Sequence, residues 1–165
     1  MNRIVVDVSV CVKWFLDRGR KPDRSAALEL LAQVDARKFH LVQPAMWRAH
    51  VAAGLLRKDS SAVKKCIDAM AGMKPRDGDS RHALCLSSEL AMALHADFFQ
   101  TLYHAVAIEK GIELVTADAD YHQRAAHLGH IRMLRDWVTR SRIAERNRNY
   151  LRKNPPKPAD RQKKH

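Results

Sequence analysis

The stretch RIVVDVSVCVKWF, residues 3–15, decides the fold of this chain. Its first half, RIVVDV, is a short β-branched apolar run of the kind that forms a central parallel strand, buried on both faces. The continuation SVCVKWFLD predicts a helix that follows the strand directly, with Ser9 as its N-cap. Asp7 then lies at the end of a buried strand, where a carboxylate is costly unless it is paired or binds a metal.

Further strands are predicted at FHLVQP (39–44), IELVTAD (112–118) and HIRMLRDW (130–137), with helical spacing of apolar residues between them. KPRDGDS (74–80) is rich in turn residues and is predicted to be a loop. Strands separated by helices indicate an α/β fold around a parallel sheet. Functional side chains in such sheets gather beyond the carboxyl ends of the strands, which is where Asp118 also lies.

Apolar positions at helical spacing predict part of the core. In AMWRAHVAAGLLRK (45–58), the residues Met46, Val51, Leu55 and Leu56 are expected to be buried. The cysteines have no zinc-binding spacing, and their odd number argues against a disulfide framework, so they are expected to be small core residues. They are Cys11, Cys66 and Cys85. Five histidines without metal-ligand spacing are expected to be solvated: His95, His104, His122, His127 and His130.

The net charge of +12 is unevenly distributed along the chain. Residues 139–165 contain ten Lys or Arg and two acidic residues, which predicts a body over 1–138 and a basic tail over 139–165. Such a tail is either a solvated terminus or the binding segment for an anionic partner, and nucleic acid is the first candidate. The tail residues predicted to bind RNA are Arg140, Arg142, Arg146, Arg148, Arg152, Lys153, Lys157, Arg161, Lys163 and Lys164.

Neither a membrane nor a secretory route is indicated by the sequence. No apolar run approaches the length of a membrane span. The N-terminal run lacks the cleavage region of a signal peptide, since it continues into the first strand. We therefore expect a cytoplasmic protein with no membrane partner.

Three segments together resemble one protein family. IVVDVSVCVKWFL, QPAMWRAHVAAGLL and FFQTLYHAVAIEKGIELVTAD are similar, in order and spacing over residues 3–137, to the PIN-domain family, and most of all to its VapC-type toxins. The resemblance implies a three-layer α/β/α fold with a central parallel sheet. It also implies a site of four acids that binds Mg²⁺ or Mn²⁺ and cleaves single-stranded RNA. Such chemistry suits carboxylates, because these hard cations prefer oxygen ligands and activate a bound water.

Two of the four family acids are present in this chain. The first falls on Asp7, with Ser9 as its hydroxyl companion, and the fourth falls on Asp118, with Thr116 preceding it. We expect hydrogen bonds from Ser9 and Thr116 to hold Asp7. The resemblance assigns Asp7 and Asp118 as the remnant catalytic and metal-binding pair.

The other two acids are missing. The second family acid falls on His50 in this chain, and the third falls on Gln100. His50 is expected to be a hydrogen-bonded structural residue. The alternative is a nitrogen ligand, which suits Mg²⁺ poorly and Zn²⁺ or Mn²⁺ better. Asp97 and Asp120 lie near the missing positions in sequence and are candidate substitute acids. Their alternative roles are a helix N-cap for Asp97 and a first-turn acid for Asp120.

These observations lead to three functional hypotheses. The first is an RNA-binding PIN-domain protein that has lost catalysis, needs no cofactor, and belongs to a ribonucleoprotein such as the ribosome, with ribosomal RNA as the favoured partner. The second is an active endoribonuclease toxin that depends on Mg²⁺ or Mn²⁺. The third is a protein-interaction module that binds an antitoxin. Ribosomal or other ribonucleoprotein proteins, and a second copy of the chain, are further possible partners.

Overall fold

The computed structural model describes residues 2–16 and 23–153. In these ranges the chain forms a five-stranded sheet with the order β3-β2-β1-β4-β5, in which every neighbouring pair is parallel. The strands are β1 (Asn2–Val6), β2 (Phe39–Gln43), β3 (Arg76–Asp77), β4 (Glu113–Thr116) and β5 (Ile131–Met133). Parallel neighbours need crossover connections, and helices supply them here. The predicted α/β fold with a central parallel sheet is confirmed.

Eight α-helices flank this sheet in the described ranges. They are α1 (Val8–Phe15), α2 (Arg24–Asp35), α3 (Trp47–Leu56), α4 (Val63–Ala71), α5 (Arg81–Leu94), α6 (Phe98–Lys110), α7 (Ala119–Ala125) and α8 (Leu134–Lys153). Helix α6 packs on the central strands β1, β2 and β4, and α5 packs against α6. Helix α1 contacts both α2 and α3. None of these helices combines the length and the apolar character needed to cross a membrane.

The central strand is as apolar as its position requires. Ile4, Val5 and Val6 are buried, because β1 pairs with β2 on one side and with β4 on the other. The end of β1 is completed by a side chain that the sequence does not single out. Gln43, at the end of β2, accepts a hydrogen bond from Val6 N at 3.1 Å and donates one to Val6 O at 2.9 Å. A buried amide thus continues the ladder where the two strands diverge.

The predicted start of α1 is wrong by two residues. The helix begins at Val8, so Asp7 occupies the N-cap position and Ser9 lies inside the first turn. The Ser9 hydroxyl is therefore directed to Asp7 and to the backbone after β4 instead of capping its own helix. The predicted loop over 74–80 is also interrupted by strand β3, which adds to the sheet beside β2.

Several burial predictions need correction as well. Val51 and Leu55 are buried, but Met46 and Leu56 are exposed because they lie on the outer side of α3 and the turn before it. Cys11 and Cys66 are core residues, whereas Cys85 is exposed. The tryptophans at 14, 47 and 137 are buried.

His104 is fully buried, contrary to the solvated position expected from the sequence. Its Nδ1 lies 3.1 Å from the Tyr121 hydroxyl, and its Nε2 lies 2.8 Å from the Gly129 carbonyl oxygen. With Nε2–H donating to Gly129 and Nδ1 accepting from Tyr121, the neutral ring satisfies both neighbours. Burial lowers the pKa of His104, which keeps the ring neutral. The histidine therefore ties α6 to α7 and to the turn before β5.

The last helix begins earlier than the predicted tail. HIRMLRDW forms strand only over Ile131–Met133, and α8 then runs without a break from Leu134 through residues 138 and 139 to Lys153. Trp137 and Val138 are buried, so the start of α8 belongs to the core. The first part of the basic segment, residues 139–153, is thus a helix that continues from the core.

Ion pairs attach this helix to the body of the protein. Arg142 contacts Glu29 on α2, and Glu145 contacts Lys38 at 3.2 Å. Arg140 lies 3.6 Å from Glu113. Arg146, Arg148, Arg152 and Lys153 are exposed on α8. The other predicted RNA-binding residues of the tail, Lys157, Arg161, Lys163 and Lys164, lie outside the described residues.

Candidate functional site

The two retained acids meet at the carboxyl ends of neighbouring strands. Asp7 follows β1 and Asp118 follows β4 by two residues. The Asp7 amide continues the ladder by donating to the carbonyl of Val115 at 2.9 Å. A parallel pair of strands brings residues that are distant in sequence to one edge of the sheet, which is the edge where α/β proteins bind ligands.

Asp7 is buried and held by two hydroxyl groups. Ser9 Oγ donates to Asp7 Oδ2 at 2.5 Å, and Thr116 Oγ1 donates to the same oxygen at 2.8 Å. Both hydroxyls are themselves fixed by backbone amides, because Ala117 N donates to Ser9 at 2.9 Å and Asp118 N donates to Thr116 at 3.1 Å. The hydrogen bonds expected for Asp7 are therefore present.

The environment of Asp7 opposes its ionisation. Burial raises the pKa of the Asp7 carboxyl, and the nearby negative charge of Asp118 raises it further. The hydrogen bonds from Ser9 and Thr116 act in the opposite direction but do not outweigh burial.

Asp118 has a different set of partners. Its Oδ1 accepts the Tyr121 amide at 2.9 Å and so caps the N-terminus of α7. Its Oδ2 accepts a hydrogen bond of 2.7 Å from Nε2 of Gln100. The residue at the third position of the resemblance thus donates a hydrogen bond to the residue at the fourth. A carboxylate at position 100 would instead have repelled Asp118 unless a cation lay between them.

His50 faces the same space from α3. Its Nδ1 lies 3.2 Å from the Tyr103 hydroxyl, and its ring meets the ring of Phe99 edge-on at 4.5 Å between centroids. Burial lowers the pKa of His50, although the charges of Asp97 and Asp79 act against this shift. The structural role expected for His50 agrees with these contacts.

These four positions line one cleft of about 640 Å³. Helix α1 and its C-cap contribute Ser9, Val12, Lys13 and Leu16 to the wall of the cleft. Helix α3 and its C-cap contribute His50, Ala53, Gly54 and Arg57. Both sets follow the spacing i, i+3, i+4, i+7, which defines one face of a helix. Helix α6 adds Phe99, Gln100 and Tyr103. The topology therefore brings together Asp7, His50, Gln100 and Asp118, as the resemblance implies.

Three cationic residues on the cleft wall were not singled out by the sequence. Lys13 lies on α1, and Arg57 and Lys58 follow the last residue of α3. In sequence they look like ordinary solvated charges. A signal was available, because Lys13 is four residues after Ser9 and Arg57 is seven after His50, so each shares a helix face with a site position.

The two candidate substitute acids differ in position. Asp97 lines the cleft, but its Oδ1 accepts the amides of Phe99 and Gln100 at 2.9 and 3.2 Å, which makes it the N-cap of α6. Asp120 is an exposed first-turn acid of α7 and is not among the residues that line the cleft. Both therefore occupy the alternative roles weighed for them.

The donor set does not suit Mg²⁺ or Mn²⁺. Asp7 Oδ2 and both oxygens of Asp118 already accept hydrogen bonds, and position 50 offers a nitrogen. Within residues 2–16 and 23–153, no group of three or more His, Cys, Asp or Glu is arranged to hold a metal ion. A hard divalent cation needs several oxygen ligands, and only two family carboxylates remain to supply them.

Comparison with known proteins finds similarity in the fold. The sequence matches no protein-family model, and no curated protein is significantly similar to it. Among solved structures, VapBC2 from Rickettsia felis bound to a DNA fragment from their promoter is similar, with a TM-score of 0.54 and 16% sequence identity. The match covers 79% of this chain and 96% of the other. This likeness, together with the parallel sheet and its flanking helices, shows a PIN-like fold.

Proposed function

We propose that this chain is a PIN-fold protein that binds single-stranded RNA and does not cleave it. The observation that carries the proposal is the hydrogen bond of 2.7 Å from Gln100 Nε2 to Asp118 Oδ2. The Gln100 amide donates to the Asp118 oxygen that would bind a cation if position 100 were an acid. Since Asp7 is likewise held by hydroxyl donors, the two remnant acids are accommodated without a metal.

Binding is supported by the distribution of charge. Lys13, Arg57 and Lys58 lie along the cleft, and Lys and Arg are the residues that neutralise phosphates without regard to sequence. The exposed basic residues of α8 extend the positive surface beyond the cleft. RNA, and not DNA, is proposed because the family that the sequence resembles acts on single-stranded RNA.

The basic helix also favours a large RNA host. We infer that the protein belongs to a ribonucleoprotein, and the ribosome is the favoured candidate. The reason is the exposed positive charge on α8, which lies outside the cleft and suits an extended phosphate backbone. It comes from Arg146, Arg148, Arg152 and Lys153. Sedimentation of the native protein with ribosomes, at low and at high salt, tests this part. Recovery in the ribosomal fraction at low salt and release at high salt are expected.

A protein partner is the alternative to RNA. The similar structure is a VapBC2 complex bound to DNA, so an antitoxin-like protein or a second copy of this chain is a partner of a kind that the fold accommodates. The RNA proposal is preferred because the cleft wall includes three cationic side chains, Lys13, Arg57 and Lys58, which suit phosphate.

The test compares the full chain with a variant that restores both acids. The wild type is expected to bind single-stranded RNA and to leave it intact with either Mg²⁺ or Mn²⁺. The double variant His50→Glu/Gln100→Asp is expected to gain Mn²⁺ binding in calorimetry, because four clustered carboxylates require a cation. The uncharged control, His50→Gln/Gln100→Asn, should bind no Mn²⁺. Metal-dependent cleavage by the wild type that is lost in Asp7→Ala would contradict the proposal.

A further inference from the structure

An exposed aromatic ring stands on the wall of the cleft. Phe99 is 47% exposed, although it lies between half-buried neighbours at the start of α6. Water contact with so much apolar surface is unfavourable. The ring is not loose, because its backbone amide is bound by Asp97 Oδ1 and its side chain packs against two other rings.

Those two rings fix the orientation of Phe99. The His50 ring meets it at 4.5 Å with an interplanar angle of 61°, and the Phe98 ring meets it at 5.7 Å with an angle of 82°. Both contacts are edge-on, a geometry that aromatic pairs prefer. The ring is thus supported by edge contacts while nearly half of the residue's surface is left exposed.

The acidic and the cationic side chains of the cleft come from different elements of the fold. Asp7, Asp97 and Asp118 belong to the part that holds Phe99 and Gln100. Arg57 lies seven residues beyond His50 on the same face of α3, which is a rise of about 10 Å, and Lys58 follows it. When no cation is bound, an RNA phosphate is repelled by the carboxylates and attracted to the cationic side chains. The base of a nucleotide carries no charge, so it can lie beside the carboxylates without being repelled.

We propose that Phe99 is the platform on which a base of the bound single-stranded RNA stacks, while the neighbouring phosphates contact Lys13, Arg57 and Lys58. This inference rests on the proposed RNA-binding function and names the residue that positions the RNA in the cleft. Aromatic side chains beside a basic groove are the general means of holding single strands, because every base has a face that stacks. Without a bound cation, the carboxylates do not attract a phosphate. A base can therefore occupy the space beside Phe99.

The experiment measures binding of the full chain to two labelled oligomers of equal length by fluorescence anisotropy. One is a single-stranded oligoribonucleotide of mixed sequence, and the other carries the same phosphates with abasic sugars. Phe99→Ala is expected to weaken binding of the first by about tenfold and to leave binding of the second unchanged. Phe99→Trp should bind the first oligomer at least as tightly as the wild type, and Phe99→Leu should show a loss near that of Phe99→Ala.

Two controls separate stacking from general effects. Met92→Ala removes another exposed apolar side chain, 68% exposed on α5 and away from the cleft, and should bind both oligomers as the wild type does. Lys13→Gln should weaken both oligomers alike and reduce the dependence of affinity on salt.

The possible outcomes distinguish this inference from the function on which it rests. Equal binding of the first oligomer by Phe99→Ala and the wild type overturns the stacking role, as does an equal loss on both oligomers. A wild type that binds neither oligomer contradicts the proposed function itself. Circular dichroism of each variant confirms that the comparison is made between folded proteins.

Discussion

At the scale of single residues, the site is decided by one amide. Gln100 differs little in size from a carboxylate side chain, but it carries hydrogens on Nε2 and no charge. It therefore donates to Asp118, whereas an acid at this position would require a cation between the two groups. With glutamine at this position the pair is hydrogen-bonded, whereas two carboxylates at these positions would repel each other.

Asp7→Asn is expected to stabilise the protein at neutral pH. Burial raises the pKa of Asp7 above its ordinary value of 3.8, so the folded state binds the proton more tightly than the unfolded state does. The favourable contribution of Asp7 is then complete below the unfolded pKa and is lost as the pH rises through the folded pKa. An amide carries no charge to desolvate, and its oxygen still accepts from Ser9 and Thr116.

The expected gain in unfolding free energy at pH 7 is on the order of 1 kcal/mol, or about 2–4 °C in melting temperature. It should disappear when the comparison is made below pH 3.8, where the carboxyl is neutral in both states. Thermal melts of the two proteins over this pH range measure the difference. A variant that is less stable than the wild type at pH 7 would contradict the assignment of Asp7 as a buried charge without a cation.

At the scale of secondary-structure elements, the cleft depends on the close approach of α1 and α3. A Cβ atom at Gly54 would lie 2.9 Å from Val12 Cγ2 and 3.4 Å from Val8 Cγ1. Glycine at this position lets the two helices contact, and the cleft faces of both helices pass beside this contact. The requirement is steric, since α3 is otherwise helical through Gly54.

Gly54→Ala is expected to lower the stability by about 1–3 kcal/mol through overpacking, in spite of the higher helix propensity of alanine. Chemical denaturation measures this change. Gly72→Ala is the matched control, because the nearest atom to a Cβ there is the Ala69 carbonyl oxygen at 3.8 Å. Val12→Ala in the Gly54→Ala background should recover part of the loss, and strict additivity of the two changes would contradict the contact.

His104 couples α6 to α7 and β5, and this coupling predicts a pH dependence. Burial lowers its pKa below the ordinary value of 6.5, so the stability it contributes is present above pH 6.5 and is lost as the pH falls through the folded pKa. His104→Gln should flatten the fall in melting temperature between about pH 7 and pH 5. The fall should not vanish, because the pKa of His50 is lowered in the same way. An unchanged slope in the variant would contradict the neutral, buried state of His104.

At the scale of the whole molecule, the basic C-terminal segment is partly used for folding. Helix α8 buries Trp137 and Val138, and its Arg142 pairs with Glu29 on α2. Beyond these contacts, Arg146, Arg148, Arg152 and Lys153 are exposed on the helix. The helix is therefore an outer element of the domain and also a basic surface.

Replacing the outward charges tests that surface. Arg146, Arg148, Arg152 and Lys153, all changed to Gln, are expected to weaken binding to structured RNA and to reduce the slope of log K against log salt by up to about 3. Arg142→Gln is the comparison, because this arginine is already paired with Glu29 and its loss is expected to change the salt slope less. A chain ending at residue 153 separates the contribution of residues 154–165. A salt slope that the four substitutions leave unchanged would place RNA binding elsewhere.

The sequence by itself determined the parallel sheet, the location of Asp7 and Asp118 at strand ends, and the N-cap of α6 at Asp97. These follow from local patterns, because β-branched runs, turn residues and capping groups act within a few residues. The absence of acids at positions 50 and 100 was equally readable, since it needs only the motif order.

Only the tertiary structure decided how these residues meet. The Gln43 amide beside Val6, the buried ring of His104 and the hydrogen bond from Gln100 to Asp118 each join residues far apart in the chain. The cationic wall of Lys13, Arg57 and Lys58 likewise exists only because α1 and α3 pack side by side. Periodicity shows which residues lie on the same face of a helix or strand. It does not show which residues of other elements they contact, because that depends on how the elements pack together.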